Sequence, residues 1–223
     1  MTSVRIATWN VNSIKVRLPQ VLQWLDVQTK KQMPIDALCL QELKITEDKF
    51  PYAELSAAGY YALVAGQKTY NGVALLLRKD ALAATAQDLE TAFLSPIKNN
   101  PHFLDEQKRI VCATVAFKSR APIRLISAYF PNGQAPGTEK FSYKMNWLAS
   151  LYDWLSEEIE EHERIALLGD YNIAPADEDV HDPKAWEGQN LVSSEERDAF
   201  QGLIDLGFFD SFRLFEQAPK SFS

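Results

Sequence analysis

Residues 164–175, R-I-A-L-L-G-D-Y-N-I-A-P, constrain the fold of this chain more than any other stretch. The four apolar residues from Ile165 to Leu168 suffice for a core strand, and Gly169 loosens the backbone where polar residues begin. Asp170 is thereby delivered to a strand end. If the extended conformation continues through Tyr171, the period of two points Asp170 and Asn172 the same way, a carboxylate beside an amide. Taken alone, G-D-x-N also describes a turn in which Asp170 bonds the backbone ahead of it.

The same design recurs along the chain. V-R-I-A-T-W-N-V-N-S alternates as a strand and then presents Asn10 and Asn12, a pattern that a turn would also explain. Leu18, Val21, Leu22 and Leu25 are spaced for a helix packed on a sheet, with Pro19 suited to its first turn. I-D-A-L-C-L-Q-E-L-K is a second strand, ending in Gln41, Glu42 and Lys44. A short helix is expected after Thr46, running to about Ala58 before Gly59. Y-Y-A-L-V-A and G-V-A-L-L-L-R read as neighbouring strands. Residues 79–108 read mainly as loop, with a short strand around Ala92. R-I-V-C-A-T-V-A-F and I-R-L-I-S-A-Y-F read as adjacent antiparallel strands, the second ending in Tyr129, Pro131 and Asn132.

Ser142 is placed to cap a long helix with Leu148, Leu151, Tyr152, Leu155 and Ile159 on its apolar stripe and Glu157, Glu158, Glu160 and Glu161 in solvent. S-S-E-E-R-D-A-F-Q-G-L-I-D-L-G carries a Ser193/Glu196 capping box and a terminal Gly207. His181 reads as a loop residue rather than a metal ligand.

A length of 223 residues, 46% hydrophobic, is consistent with one globular domain spanning 1–223. There is no cationic segment leading into an apolar run at the amino terminus and no apolar stretch near the ~20 residues of a membrane span, so a cytoplasmic chain without membrane contact is expected. Cys39 and Cys112 lie inside apolar runs and read as buried thiols. The net charge of -7 argues against a wholesale nucleic-acid coat. Charge is nevertheless segregated: residues 97–124 carry six basic against two acidic side chains, and residues 153–163 carry six acids without Lys or Arg. One basic face or two solvated surfaces would both produce this.

Strands ending in Asn10 and Asn12, in Glu42, in Tyr129 and Asn132, and in Asp170 and Asn172 would, side by side, form a pocket of carboxylates, amides and a phenol. Such oxygen-rich chemistry suits a hard cation, Mg²⁺ above all, rather than zinc, and hydrolysis of a phosphodiester fits the parts.

W-N-V-N-S, Q-E-L-K, N-G-V-A-L-L, the Arg of D-E-Q-K-R-I-V, Y-F-P-N-G, G-D-Y-N-I-A-P, S-S-E-E-R-D-A-F and D-S-F-R together resemble the exonuclease III family of DNA-repair nucleases, including AP endonucleases, within the endonuclease/exonuclease/phosphatase superfamily. The resemblance implies a four-layer α/β sandwich, two mainly antiparallel sheets face to face with helices outside. It implies cleavage, dependent on Mg²⁺ (with Mn²⁺ as a substitute), of double-stranded DNA beside abasic sites and removal of nucleotides or blocking groups from 3′ ends. Glu42 would be the principal metal ligand supported by Asn10, with Asp170 and Asn172 also at the metal. Asp170 would orient or deprotonate water, Asn172 would stabilise the transition state and Tyr129 would contact the phosphate. Asn12, Arg109 and Asn132 are candidate DNA contacts.

The family pattern continues past D-S-F-R with a Trp-rich segment and a final Asp-His pair, whereas this sequence stops at Ser223. On that pattern the chain is truncated, its second sheet is incomplete at the carboxyl end, and the complete protein is a monomer. Two alternatives follow: a phosphodiesterase of the same superfamily acting on a small phosphorylated substrate, or a noncatalytic DNA-binding or interaction fragment.

Overall fold

Strands that are apolar at every position need cover on both faces, and that requirement organises this chain. The computed structural model describes residues 3–83, 94–103, 105–118, 120–218 and 221. Among them, β1 (Ile6–Asn10), β2 (Ala37–Gln41), β3 (Tyr60–Ala65) and β4 (Val73–Arg78) form one four-stranded sheet in the order β1-β2-β4-β3. A second four-stranded sheet follows chain order: β5 (Leu94–Ile97), β6 (Ile110–Val115), β7 (Ile123–Tyr129) and β8 (Ile165–Asp170). The expected strand around Ala92 lies outside the described residues.

Each sheet is antiparallel except for one parallel pair, β1 with β2 and β7 with β8. Those two pairs matter for the site, because parallel strands bring their carboxyl ends together: Asn10 is opposite Gln41, and Tyr129 is opposite Asp170. The period of two sorts the core. Ala37, Cys39, Val73, Leu75 and Leu77 face Val111, Ala113, Val115 and Leu125 of the second sheet, whereas Leu38, Leu40, Ala74 and Leu76 face the opposite way and pack with helix residues Val21, Leu25 and Leu55. These two sheets with their helices are those of the expected α/β sandwich.

Helix α1 (Ile14–Lys30) starts a turn earlier than its apolar spacing suggests, so Pro19 lies inside it rather than in the first turn. Proline removes a backbone donor there, but the helix continues because Ile14, Val21 and Leu25 are buried along it. After Thr46 the chain forms a 3₁₀ turn, Glu47–Lys49, before the short α2 (Tyr52–Ala57), and Thr46 makes no side-chain cap. Pro51, just ahead of α2, separates the two pieces.

The chain divides into two compact units, Met1–Tyr129 with Ile159–Asp170, and Phe130–Glu158 with Tyr171–Ser223. Both sheets, α1 and α2 belong to the first. In the second, α3 (Glu139–Glu161) contributes all but its last turn, followed by α4 (Pro183–Trp186) and α5 (Ser194–Asp205). Thr138, not Ser142, caps α3: its hydroxyl accepts from Phe141 N at 3.2 Å. The buried stripe of α3 runs through Phe141, Lys144, Trp147, Leu148, Leu151, Trp154, Leu155 and Glu158. Tyr152, expected on it, is 40% exposed, and Glu158, expected in solvent, is buried and accepts a bond from Trp154 Nε1 at 3.1 Å. Helix α5 has the full Ser193/Glu196 capping box, and Gly207 follows it at φ 109°. No helix among the described residues is long and apolar enough to cross a membrane.

Candidate active site

Why β8 ends where it does is a matter of sterics. A Cβ on Gly169 would lie 1.8 Å from the Ala128 carbonyl oxygen, so only glycine lets β8 come this close to β7. The next residue, Asp170, pairs with Tyr129 at the ends of the two strands. The extended conformation stops there, and Asn172 adopts φ 47°, so the period of two does not carry through it.

In the first unit a single amide gathers both carboxylates. Asn10 Nδ2 donates to Glu42 Oε1 and to Asp170 Oδ2, each at 2.8 Å, while its Oδ1 accepts from Asn12 N at 3.0 Å. Both readings of Asn10 therefore hold at once: its oxygen closes a turn and its NH₂ reaches the strand-end carboxylates. Asn12 is exposed and accepts a bond from Lys44 Nζ. Glu42 and Lys44 both have φ 54°, and this left-handed backbone is held by Ser13 N donating to Glu42 O at 2.7 Å and Lys44 N donating to Asn71 O at 3.0 Å.

The Tyr129 hydroxyl donates to Glu42 Oε1 at 3.1 Å, and Lys44 Nζ lies 2.8 Å from Glu42 Oε2. Burial works against the Glu42 charge, but hydrogen bonds from Asn10, Lys44 and Tyr129, with the Lys44 charge, outweigh it and hold the carboxyl below its usual range. Burial, then the Glu42 and Asp170 charges, push the Tyr129 phenol far above its ordinary value, with Arg109 acting in the opposite sense. At neutral pH the site therefore pairs an ionised Glu42 with a protonated phenol.

Arg109 is only 8% exposed. Its guanidinium donates to the Tyr129 carbonyl at 3.1 Å and to Gln107 Oε1 at 2.7 Å, and its Cζ lies 5.1 Å from the Tyr129 ring centre. The structure thus sets Arg109 against Tyr129. Asn132 and Asn172 lie in the second unit, where Asn132 Nδ2 donates to Asn172 Oδ1 at 3.2 Å and Asn172 Nδ2 donates to the Phe130 carbonyl at 3.0 Å.

Three residues were given no role from sequence. Lys44 was named at the end of its strand, two residues after Glu42, without one. Gln107, which braces Arg109, carries no pattern in sequence. Lys144 does: it stands at helical spacing between the apolar Phe141 and Leu148. His181 is in an exposed turn. Cys39 and Cys112 are both buried thiols, and burial pushes Cys39 up to about 12 despite a hydrogen bond with Ser127.

Residues 7–220 match the endonuclease/exonuclease/phosphatase family. The chain belongs to that family. Among family members, exodeoxyribonuclease III of Haemophilus influenzae is 32% identical over 217 residues, covering 94% of this chain and 75% of its own length. The structure of a Neisseria 3′ phosphatase, NExo, bound to a product DNA hairpin superposes with a TM-score of 0.83 at 41% identity, over 95% of this chain and 74% of that one. An AP endonuclease from Archaeoglobus fulgidus gives 0.76 at 33% identity, over 95% and 74%. The family's relatives named here are nucleic-acid hydrolases, as the strand-end motifs imply.

Proposed function

We propose that this family member is a divalent-metal-dependent DNA-repair phosphodiesterase that cleaves double-stranded DNA beside abasic sites and clears nucleotides or blocking groups from 3′ ends. The observation that carries the reading is the convergence of Glu42, Asp170 and Tyr129 around Asn10 at the carboxyl ends of four strands.

The donor set fits a hard cation. Glu42 and Asp170 share the Asn10 amide nitrogen and offer carboxylate oxygens to a cation. Mg²⁺ commonly uses one or two carboxylates and takes its other ligands from water and substrate phosphate. Glu42 and Asp170 would hold Mg²⁺ or Mn²⁺, with Asn10 and Asn172 supporting; when bound, the metal would neutralise phosphate charge.

The chain's own groups supply the rest. Asp170 orients the attacking water and accepts its proton. Tyr129, kept protonated, donates a hydrogen bond to a phosphate oxygen, and Arg109 fixes the ring and backbone from which it does so. Asn172, two residues beyond Asp170 in the chain, offers its amide to the developing negative charge. Asn12 and Asn132, both exposed, would contact the DNA backbone.

The resemblance to NExo favours 3′-end processing among the reactions in this class. A panel of four substrates tests the reading: an abasic duplex, a duplex with a 3′-phosphate, a recessed unmodified 3′ end, and a small phosphodiester without DNA. Turnover of the DNA substrates, abolished by chelator and restored by Mg²⁺, is expected. Turnover of the small phosphodiester alone would favour the small-substrate phosphodiesterase, and DNA binding without any turnover would favour the noncatalytic fragment.

A further inference from the structure

Lys144 and Glu196 form an ion pair in the second unit with both side chains fully buried. Neither belongs to the strand-end motifs. A buried charge pair costs desolvation and is weak evidence of stability, so what else it holds becomes the question.

An ammonium has three protons to place. Lys144 Nζ donates to Glu196 Oε1, to the Asn172 carbonyl at 2.6 Å and to the Asn132 carbonyl at 3.4 Å. Glu196 is fixed in turn: its Oε2 accepts from Ser193 Oγ at 2.8 Å and from Ser193 N at 3.1 Å, so the capping box of α5 anchors it. One side chain from α3 therefore ties together the start of α5 and the backbone of two asparagines on different loops. Those two asparagines also bond each other through their side chains.

The surroundings leave space for this lysine and little else. Gly133 has φ 86°, and a Cβ there would lie 2.8 Å from Lys144 Cδ, so the loop bearing Asn132 is cut to fit the lysine stem. Asn172 itself sits at φ 47°, in the left-handed region, which asparagine tolerates better than most non-glycine residues. Lys144 grips the carbonyl of that residue.

We infer that Lys144, charged and anchored by Glu196, is a positioning residue that fixes the Asn172 backbone, and with it the amide, for the reaction. This rests on the role given to Asn172 above. The pair acts through Asn172 and touches no substrate.

A double substitution, Lys144→Met with Glu196→Gln, removes the charges together and so avoids leaving one of them buried alone. The first readout needs no activity: hydrogen exchange of the amides in residues 132–134 and 171–174. At temperatures scaled to each protein's melting point, exchange in these loops is expected to rise above that of the wild-type protein while exchange in β2 and β4 does not; unchanged loop exchange overturns the inference.

The second readout is kinetic. On an abasic or 3′-phosphate duplex, kcat is expected to fall on the order of 10²-fold with KM little changed, the signature of lost transition-state positioning. Introduced into an Asn172→Ala protein, the same double substitution should lower kcat little further, because the two changes remove one interaction. Additive losses, or wild-type kcat in the double variant, overturn the inference. If the wild-type protein cleaves no DNA, the proposed function fails on that result alone, and loop exchange still decides what Lys144 holds.

Discussion

At the scale of single residues, the site is built by sharing polar atoms: Asn10 Nδ2 serves two carboxylates, and Glu42 Oε1 accepts from both Asn10 and Tyr129. Asn10 divides its amide, oxygen to the Asn12 turn and nitrogen to Glu42 and Asp170, so Asn10→Asp would set a third negative charge against two others. Tyr129→Phe keeps the ring beside Arg109 but removes the hydroxyl bonded to Glu42, and cleavage is expected to fall about 10²-fold in single-turnover assays with the melting temperature nearly unchanged. Unchanged turnover would remove the phenol from the reaction.

Tyr60 makes a stability prediction instead. Its hydroxyl donates to the Ile35 carbonyl at 2.7 Å, and burial, opposed by Arg78 and reinforced by Asp36, raises it to about 12. In the unfolded chain the phenol titrates near its ordinary value of about 10. A raised folded value means that the folded state holds the proton more tightly, so its stabilising contribution is complete below about pH 10 and is lost as the pH rises through 12. Tyr60→Phe should lose about 1 kcal/mol near neutral pH and show a shallower alkaline decline in denaturant titrations. An alkaline decline as steep as that of the unsubstituted protein would show that other groups cause it.

At the scale of elements, β2 and β4 were legible because they bury both faces: the runs ALCLQ and VALLLR are apolar up to their last residue. What sequence could not show was the event at the end of β8. The pattern of G-D-Y-N suggests continued extension, but Asn172 turns into the left-handed region while hydrogen-bonding to Phe130 and Asn132, contacts made far away in sequence. Pro19 similarly misplaces the start of α1, since the burial of Ile14 outweighs the lost backbone bond. The capping box of α5 was readable because both of its members lie within four residues; the partner of Glu196, Lys144, is 52 residues away.

Gly169 joins the two scales. Substitution by Ala would drive a Cβ into the Ala128 carbonyl and push β8 from β7, with a cost of about 3 kcal/mol or more. Because Asp170 follows immediately, activity should fall more than stability accounts for, which comparison of kcat at temperatures well below each melting point would show. Equal losses in both would make Gly169 a packing residue only.

At the scale of the whole molecule, the basic side chains of residues 97–124, which one basic face or two solvated surfaces would both explain, are not all displayed on an exposed surface. Arg109 and Arg124 are buried, and Lys98 pairs with Glu47 at 2.9 Å. Lys118 and Arg120 line a cleft with Arg5, Asp36 and Arg78, which lie at the starts of β1 and β2 and the end of β4. The seven residues of β7 separate its start, near Arg120, from Tyr129 by roughly 20 Å. Neutralising Lys118 and Arg120 together should therefore leave the salt dependence of DNA cleavage unchanged, whereas a shallower slope would place DNA across that cleft.

The claim on which the rest depends is that Asp170 works with Glu42 on a phosphodiester. Asp170→Asn keeps an oxygen able to accept the Asn10 hydrogen bond while removing the charge, so the fold should survive. Single-turnover cleavage of an abasic duplex in Mg²⁺ measures the consequence directly. The account predicts efficient nicking by the wild-type protein, none with chelator, and a loss on the order of 10³-fold in Asp170→Asn at an unchanged melting temperature; nicking by the variant at the wild-type rate would contradict it.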